Sequence, residues 1–150
     1  LENEMDYVPW DAANSQLSYV GSMLSRTELY GKFKRFIRKI VTKPFNIYSR
    51  DSNKTGHLDS FMRSILYGLA CDYDLESCSK MAAKMFNNWM RDPENNRVDP
   101  GLKSTVYCSG VASGVKQNGT LSIRGTRRPL WHQRGQGYDQ HCLVPSRLGF

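Results

Sequence analysis

The spacing of the apolar residues is the feature that most constrains what this chain can fold into. In the first legible segment they recur at Trp10, Ala13, Leu17, Val20 and Leu24, which is the spacing of one face of an α-helix. Three- and four-residue spacings continue through the later segments, and no sustained alternation typical of a strand appears before residue 112. The sequence therefore predicts an all-α chain of antiparallel helical hairpins with short connections.

Local signals predict where the second helix begins and ends. Ser25 and Glu28 have the spacing of a capping box, which predicts a helix start. Pro44 has no backbone N–H and should kink or end this helix. Lysines and arginines cover much of its surface, which predicts either a solvated face or a surface for an acidic or membrane partner. The apolar face is predicted to comprise Leu29, Phe33, Phe36 or Ile37, and Ile40.

Three further helices are predicted before residue 112. The third lies near Leu58–Ala70 and the fourth covers about Leu75–Met90, with Asp74 as the N-cap. Asp99, which precedes a proline, predicts the cap of a fifth helix that continues through Cys108. The larger side chains predicted to lie in the core are Leu17, Phe36, Phe86 and Trp89.

The basic charge is concentrated at the C-terminal end. The whole chain has a net charge of +7, but residues 1–112 hold 15 basic and 13 acidic side chains, a net of +2. From about Val115 the sequence is glycine-rich and has no sustained periodicity, so we expect residues 115–150 to be irregular or disordered. An alternative reading is an RNA-binding arm built from Arg124, Arg127, Arg128 and Arg134 with Trp131 and Tyr138.

No metal or catalytic residue is predicted in this chain. The three histidines (His57, His132 and His141) are scattered, and neither they nor the four cysteines show the paired spacing of zinc ligands. The opening residues are polar and lack a signal-peptide pattern, and no apolar run approaches the roughly 20 residues of a membrane span. We therefore expect a piece of a longer protein without a membrane segment of its own.

Four motifs in one order resemble a known family. Residues 7–13 read YVPWDAA, residues 26–31 read RTELYG, residues 86–96 contain FNNWM followed by PENN, and residues 102–108 read LKSTVYC. Together they resemble the C-terminal helical domain of membrane zinc aminopeptidases of the aminopeptidase N type. The resemblance covers residues 1–114, without large gaps.

The resemblance implies a fold and a function. It implies an incomplete α-superhelical repeat domain of the HEAT or armadillo kind, over residues 1–114, followed by the irregular tail. In the family, zinc and the H-E-x-x-H motif belong to an upstream domain that removes N-terminal amino acids from peptides. This sequence has no H-E-x-x-H, so the implied function is noncatalytic. The implied partners are the upstream catalytic domain, peptides as substrates of the parent, and a second copy through the helical domain, with no specific nucleic acid.

The resemblance also assigns the cysteines. It implies a disulfide between Cys71 and Cys78, whereas the reading from composition alone is two free core thiols. It makes Cys108 one half of a second bridge whose family partner is missing from this reading frame. Such bridges belong to oxidising compartments, so the implied location is the extracellular side of the membrane. There, the Asn53-Lys54-Thr55 sequon would be a glycosylation site at Asn53.

The tail departs from the family pattern. The family continues with a helix that starts EWDF, and the genetic code permits those residues when Gln117 to Leu121 are read one base out of frame. A similar shift across Asp139 to Val144 permits the family's missing cysteine. We therefore predict that the tail is an out-of-frame reading. The alternative for the whole chain is a stand-alone helical binding module with a genuine basic tail.

Overall fold

The computed structural model of the protein describes residues 1–51, 56–92 and 94–118, with the side chains of 111 and 113–118 left aside. Within these ranges all regular structure is helical, which confirms the predicted fold class. The elements are α1 (Tyr7–Leu24), α2 (Tyr30–Arg50), α3 (His57–Asp72), α4 (Glu76–Arg91), a short 3₁₀ turn (Pro100–Leu102) and α5 (Lys103–Asn118).

The third helix is the centre of the packing. α3 contacts each of the other four α-helices; α1 and α2 also contact each other, as do α4 and α5. The fold is therefore two groups of three helices that share α3. Fully buried side chains fill both groups and include Trp10, Ile37, Val41, Phe45, Met62, Leu66, Cys78, Ala82 and Val106.

Trp10 anchors the first helix to this core. Its side chain is fully buried, and its indole N–H donates a hydrogen bond to the carbonyl oxygen of Glu4 at 3.0 Å. Because a buried indole N–H needs a partner, this contact also holds the segment that precedes α1 against the domain. The predicted inward spacing on α1 is thus correct at Trp10, while Leu17 is partly buried and packed against the core.

The predicted core position of Phe36 is wrong. Ile37 is fully buried, whereas Phe36 is 51% exposed. Successive helical residues point about 100° apart, so only one of the two can face α3. Phe86 is buried as predicted, and Trp89 is partly buried against the core.

The capping box predicted at Ser25 does not form. The Ser25 and Thr27 hydroxyls donate to the carbonyl oxygens of Ser22 and Leu24, at 2.7 and 2.9 Å. They therefore satisfy carbonyl groups at the C-terminal end of α1, which lack partners within the helix. The second helix begins only at Tyr30.

Pro44 does not end the second helix, so that alternative of the prediction is wrong. The helix continues through it to Arg50, and Pro44 itself is buried. Phe45 and Tyr48, which follow the proline, are also buried. The apolar burial on both sides of Pro44 offsets the missing backbone hydrogen bond.

The two predicted aspartate caps behave differently. Asp74 has a left-handed φ of 59° and pairs with Lys34 at 2.8 Å, so it does not cap α4. Asp99 is a cap as predicted: its carboxylate accepts the backbone N–H of Gly101 at 2.8 Å. The fifth helix extends ten residues beyond Cys108, to Asn118. The predictions for residues 119–150, which include the tail's reading frame and its arginines, lie outside the described residues.

Candidate functional site

A cleft of about 600 Å³ opens where α2 and α4 end beside α3. Tyr67 of α3 and Trp89 of α4 line it, and both belong to aromatic contacts of the core. The Tyr67 ring lies 4.9 Å from that of Phe45, and the Trp89 ring stacks at 4.5 Å on Tyr107. These contacts give the cleft a rigid aromatic side.

The connection between α4 and α5 forms another wall of the cleft. The amide of Asn96 donates to the hydroxyl of Tyr107 at 2.7 Å, and its Oδ1 accepts the backbone N–H of Val98 at 3.0 Å. The Ser64 hydroxyl donates to the carbonyl oxygen of Gly101 at 3.0 Å, which ties the 3₁₀ turn to α3. The wall is therefore fixed by hydrogen bonds as well as by packing.

The phenols in the cleft stay protonated at neutral pH. Loss of solvation raises the pKa of Tyr48, and the carboxylate of Asp59, 3.2 Å from its hydroxyl, raises that pKa further. Burial also raises the pKa of Tyr67, although the nearby Arg63 guanidinium partly offsets the shift. Both O–H groups are already used within the fold: the Tyr48 hydroxyl donates to the carbonyl oxygen of Met5 and the carboxylate of Asp59, and the Tyr67 hydroxyl donates to the Met81 sulfur at 3.0 Å.

Charged side chains of both signs surround the aromatic side of the cleft formed by Tyr67 and Trp89, which we call the aromatic floor. They are Arg50, Arg63, Arg91 and Arg97 together with Asp51, Asp92 and Asp99. Such a mixture suits a polar, extended ligand better than a polyanion. Ser49 is the one serine among the described lining residues, and its hydroxyl donates to the carbonyl oxygen of Asn46 at 3.2 Å. The same described residues include no histidine that could act as its base.

The disulfide predicted from the family resemblance joins the end of α3 to α4. The structure bonds Cys71 to Cys78, with Cα atoms 5.3 Å apart, and both cysteines are buried. Between them, the backbone N–H of Leu75 donates to the carbonyl oxygen of Ala70 at 2.8 Å. The bridge and this hydrogen bond fix the turn that carries Asp74.

The roles that the resemblance assigned to Cys108 and Asn53 remain to be tested. Cys108 is disulfide-bonded, and its assignment as half of a second bridge whose family partner is missing stays a prediction. Asn53 lies in the gap between residues 51 and 56, so its glycosylation stays a prediction. The cleft itself was missed by the sequence reasoning, because its lining residues are ordinary charged and aromatic residues at helix ends that only the fold brings together.

The described side chains do not fit a zinc ion. No group of three or more His, Cys, Asp or Glu side chains among them could hold a metal. Cys71 and Cys78 are consumed by their disulfide, and the His57 ring lies edge-on to Phe61 at 4.7 Å. Across the same described ranges, no helix has both the length and the apolar character needed to cross a membrane.

An open apolar surface is the second notable feature of the molecule. Val8, Tyr19 and Met23 on α1 are 70%, 64% and 65% exposed. Part of the α1 surface therefore presents large apolar side chains to solvent. Such surfaces commonly mark interaction sites.

Comparison with known proteins gives one consistent result. The family model of the ERAP1-like C-terminal domain matches residues 1–122. The chain is 37% identical over 122 residues to aminopeptidase N of Canis lupus familiaris, covering 78% of this chain and 12% of the relative. It is 35% identical to aminopeptidase N of Homo sapiens, with 78% and 13% coverage, and 31% identical to aminopeptidase N of Plutella xylostella, with 79% and 12%. The chain thus spans about an eighth of the length of these relatives.

Proposed function

The chain belongs to the ERAP1-like C-terminal domain family, and from that premise we propose that it is a noncatalytic part of a zinc aminopeptidase. Its parent enzyme would remove N-terminal amino acids from peptides. The observation that carries the proposal is the match itself: relatives named aminopeptidase N align with 78–79% of this chain, yet the chain covers only 12–13% of them. The chemistry of the parent would therefore lie in the remaining length.

The side chains support a noncatalytic role. The sequence has no H-E-x-x-H motif, and zinc would belong to the parent's upstream catalytic domain. The cleft offers hydrogen-bond donors and aromatic faces, which can bind and orient a peptide without reacting with it. We propose that the helices are part of a HEAT-like repeat domain that covers the catalytic cavity and shapes access for peptides.

The setting of the parent protein belongs to the same proposal. The partners would be the upstream catalytic domain of the same polypeptide and a second copy of the helical domain, with no specific nucleic acid. The Cys71–Cys78 disulfide supports an oxidising compartment, so we place the parent on the extracellular side of the membrane. A glycan on Asn53 would be consistent with that location.

A peptidase assay tests the noncatalytic role. The purified 150-residue chain, supplied with zinc, is incubated with alanine and leucine anilides beside an intact aminopeptidase N as the positive control. We expect no turnover above the buffer rate. Turnover that rises with the amount of chain and disappears with a chelator would refute the proposal.

A chimera tests whether the chain can serve as part of such an enzyme. The segment of the canine relative that matches residues 1–114 is replaced by those residues of this chain, and a second chimera carries Phe86→Asp as the control. We expect the first chimera to be secreted and active, and the second to be retained and inactive because a buried charge disrupts the helical core. An inactive first chimera that nevertheless folds would count against the proposed role.

The cleft favours one alternative, a stand-alone helical binding module. If the chain acts alone, a peptide should bind the aromatic floor and quench the Trp89 fluorescence. The control variant is Trp89→Ala, which keeps the fully buried Trp10 as an internal fluorescence reference. Saturable quenching by peptides, lost in Trp89→Ala, would support the binding module over a purely structural role.

A further inference from the structure

The outward face of α2 carries a row of cations, which we define as the basic stripe: Lys32, Arg35, Lys39 and Lys43. All four side chains are exposed. At 3.6 residues per turn they fall within an arc of about 80°, and the row is about 16 Å long, with neighbouring members about 5 to 6 Å apart along the axis. The fully buried Ile37 lies on the opposite side of the helix. The basic stripe is therefore directed away from the domain's core.

Positive charge is segregated onto this one helix. α2 contains seven lysines and arginines and no acidic residue. The rest of residues 1–112 contains eight basic and 13 acidic side chains, so the remainder of the domain is net acidic. Such a separation of charge produces a local positive field, which attracts a polyanion to one part of the surface.

The domain itself compensates the charges of the basic stripe poorly. Lys43 donates to the neutral amide oxygen of Asn3 at 2.8 Å, and Lys39 approaches the Glu2 carboxylate only to 4.0 Å, with both of those side chains more than half exposed. The other two members of the stripe form no ion pair with any described residue. Because an exposed ion pair contributes little, an external anion can replace these contacts at low cost.

The surroundings of the basic stripe favour a polymer over a membrane. The apolar side of α2 packs in the core through Ile37, Val41 and Phe45, so this helix cannot turn an apolar face into a bilayer. Anionic lipids are concentrated in the cytoplasmic leaflet, whereas the proposed function places the parent on the extracellular side. A row of evenly spaced cations suits a linear polymer with closely spaced anionic groups.

The residue types of the basic stripe favour sulfate groups as the anions. Three of its four members are lysines, which bind tetrahedral oxyanions as point charges. Flat carboxylates are bound best by the planar fork of an arginine instead. Phe36 is 51% exposed and lies one turn from both Lys32 and Lys39, so its ring offers an apolar surface against which a sugar ring can pack.

We propose that the basic stripe of α2 binds a sulfated polysaccharide of the heparin class, laid along the helix axis. The choice of a polysaccharide rests on the extracellular location in the proposed function, whereas the stripe is independent of the noncatalytic role. Binding through the stripe concentrates the parent peptidase where such polymers are abundant. Because the attraction is electrostatic, it weakens as the salt concentration rises.

Fluorescence anisotropy of a labelled heparin octasaccharide tests the stripe with the intact 150-residue chain. At about 0.15 M salt we expect saturable binding, and Lys32→Gln combined with Lys39→Gln should weaken it roughly tenfold or more. The matched control is Lys80→Gln combined with Lys84→Gln, which removes the same charge from two exposed positions of α4. The control should change the affinity far less. Circular dichroism checks that both variants remain helical.

The basic C-terminal tail is the internal competitor in this experiment. Residues 113–150 hold six basic side chains and one acidic side chain, and they are unchanged in both double variants. Binding by the tail would survive equally in the two variants, and that result would overturn the proposal. The salt dependence is a second measure: the slope of log K against log salt should fall by roughly one for each stripe lysine removed. The α4 control should leave that slope unchanged.

Competitors identify the class of anion. Unlabelled heparin should displace the octasaccharide, whereas fully desulfated heparin, polyglutamate and vesicles containing phosphatidylserine should compete poorly. No binding of heparin, or equal competition by polyglutamate or the vesicles, would overturn the proposal. A chain that binds heparin but shows zinc-dependent turnover would reject the noncatalytic role and keep the stripe. An inactive chain that does not bind heparin would do the reverse, so the two failures are distinguishable.

Discussion

Neighbouring helices α1 and α2 present very different outward faces. The 18 residues of α1 contain one charged side chain, whereas the 21 residues of α2 contain seven lysines and arginines. On α2 the charged side chains lie opposite a buried face that includes Ile37 and Val41, so the outward face of this helix is well solvated by water. On α1 the outer face carries Val8, Tyr19 and Met23, which no other part of the described residues covers. The difference shows that a chain can bury one side of a helix in its core and leave large apolar side chains exposed on the other side.

The largest predicted effect on the free energy of unfolding distinguishes the buried side of α1 from its exposed side. Trp10→Ala should destabilise the monomer by about 3–5 kcal/mol, because it leaves a large cavity in the core and removes the hydrogen bond to Glu4. Tyr19→Ala on the outer side should change the free energy of unfolding by less than about 0.5 kcal/mol. Urea unfolding at low protein concentration, where any dimer dissociates, measures both. Similar losses of unfolding free energy in the two variants would contradict the distinction between the buried and exposed faces of α1.

Loss of the α3–α4 disulfide should have the next largest effect. Replacing both Cys71 and Cys78 with alanine should lower the free energy of unfolding by about 2 kcal/mol, because the closed loop in the unfolded chain is short. Thermal unfolding of the double variant beside the parent chain, both without reductant, provides the measurement. An unchanged midpoint would show that packing alone holds the turn between the helices.

Two glycines offer a matched pair of substitutions within the group formed by α3, α4 and α5. A Cβ at Gly110 would overlap the Phe86 side chain, so Gly110→Ala should cost about 1–3 kcal/mol. A Cβ at Gly68 would meet no atom within 4 Å, and Gly68→Ala should stabilise α3 by about 0.5–1 kcal/mol. Opposite signs are expected in urea titrations. A neutral Gly110→Ala would mean that α4 and α5 pack less closely than the structure indicates.

The smallest effect concerns the basic face of α2. Lys34 pairs with Asp74 at 2.8 Å across to the α3–α4 turn, but the aspartate is half exposed. Lys34→Met should therefore cost less than about 1 kcal/mol, and the cost should vanish in high salt. Lys32→Met, two residues earlier on an exposed position, is the control and should be neutral. A salt-independent loss at Lys34 would point to packing of its aliphatic stem instead.

The sequence predicted the number and type of the helices because apolar periodicity is a local signal. It did not predict which of the two side chains, Phe36 or Ile37, is buried, since that depends on the position of α3. The sequence also could not show that the helix continues past Pro44, since burial of Phe45 and Tyr48 beyond the proline is a tertiary effect that outweighs a local propensity. The hydroxyl of Ser25 could either accept from a backbone N–H at the start of a helix or donate to a carbonyl oxygen at the end of one, and only the fold decided between them.

The sites divide in the same way. The Cys71–Cys78 pair could be named in advance because the family resemblance assigned it. The cleft could not, because it joins the ends of α2 and α4 with residues that are more than 30 positions apart in the sequence. The out-of-frame tail stays a prediction, and codons that do not permit EWDF in the shifted frame would contradict it.

The noncatalytic, derivative role of the chain is tested most directly by sequencing the full-length transcript that encodes it. The account predicts an H-E-x-x-H motif upstream, in the same reading frame as Tyr7–Leu24 of the first helix. A start codon close to Leu1, with no such motif before it, would contradict the account and favour a stand-alone binding module.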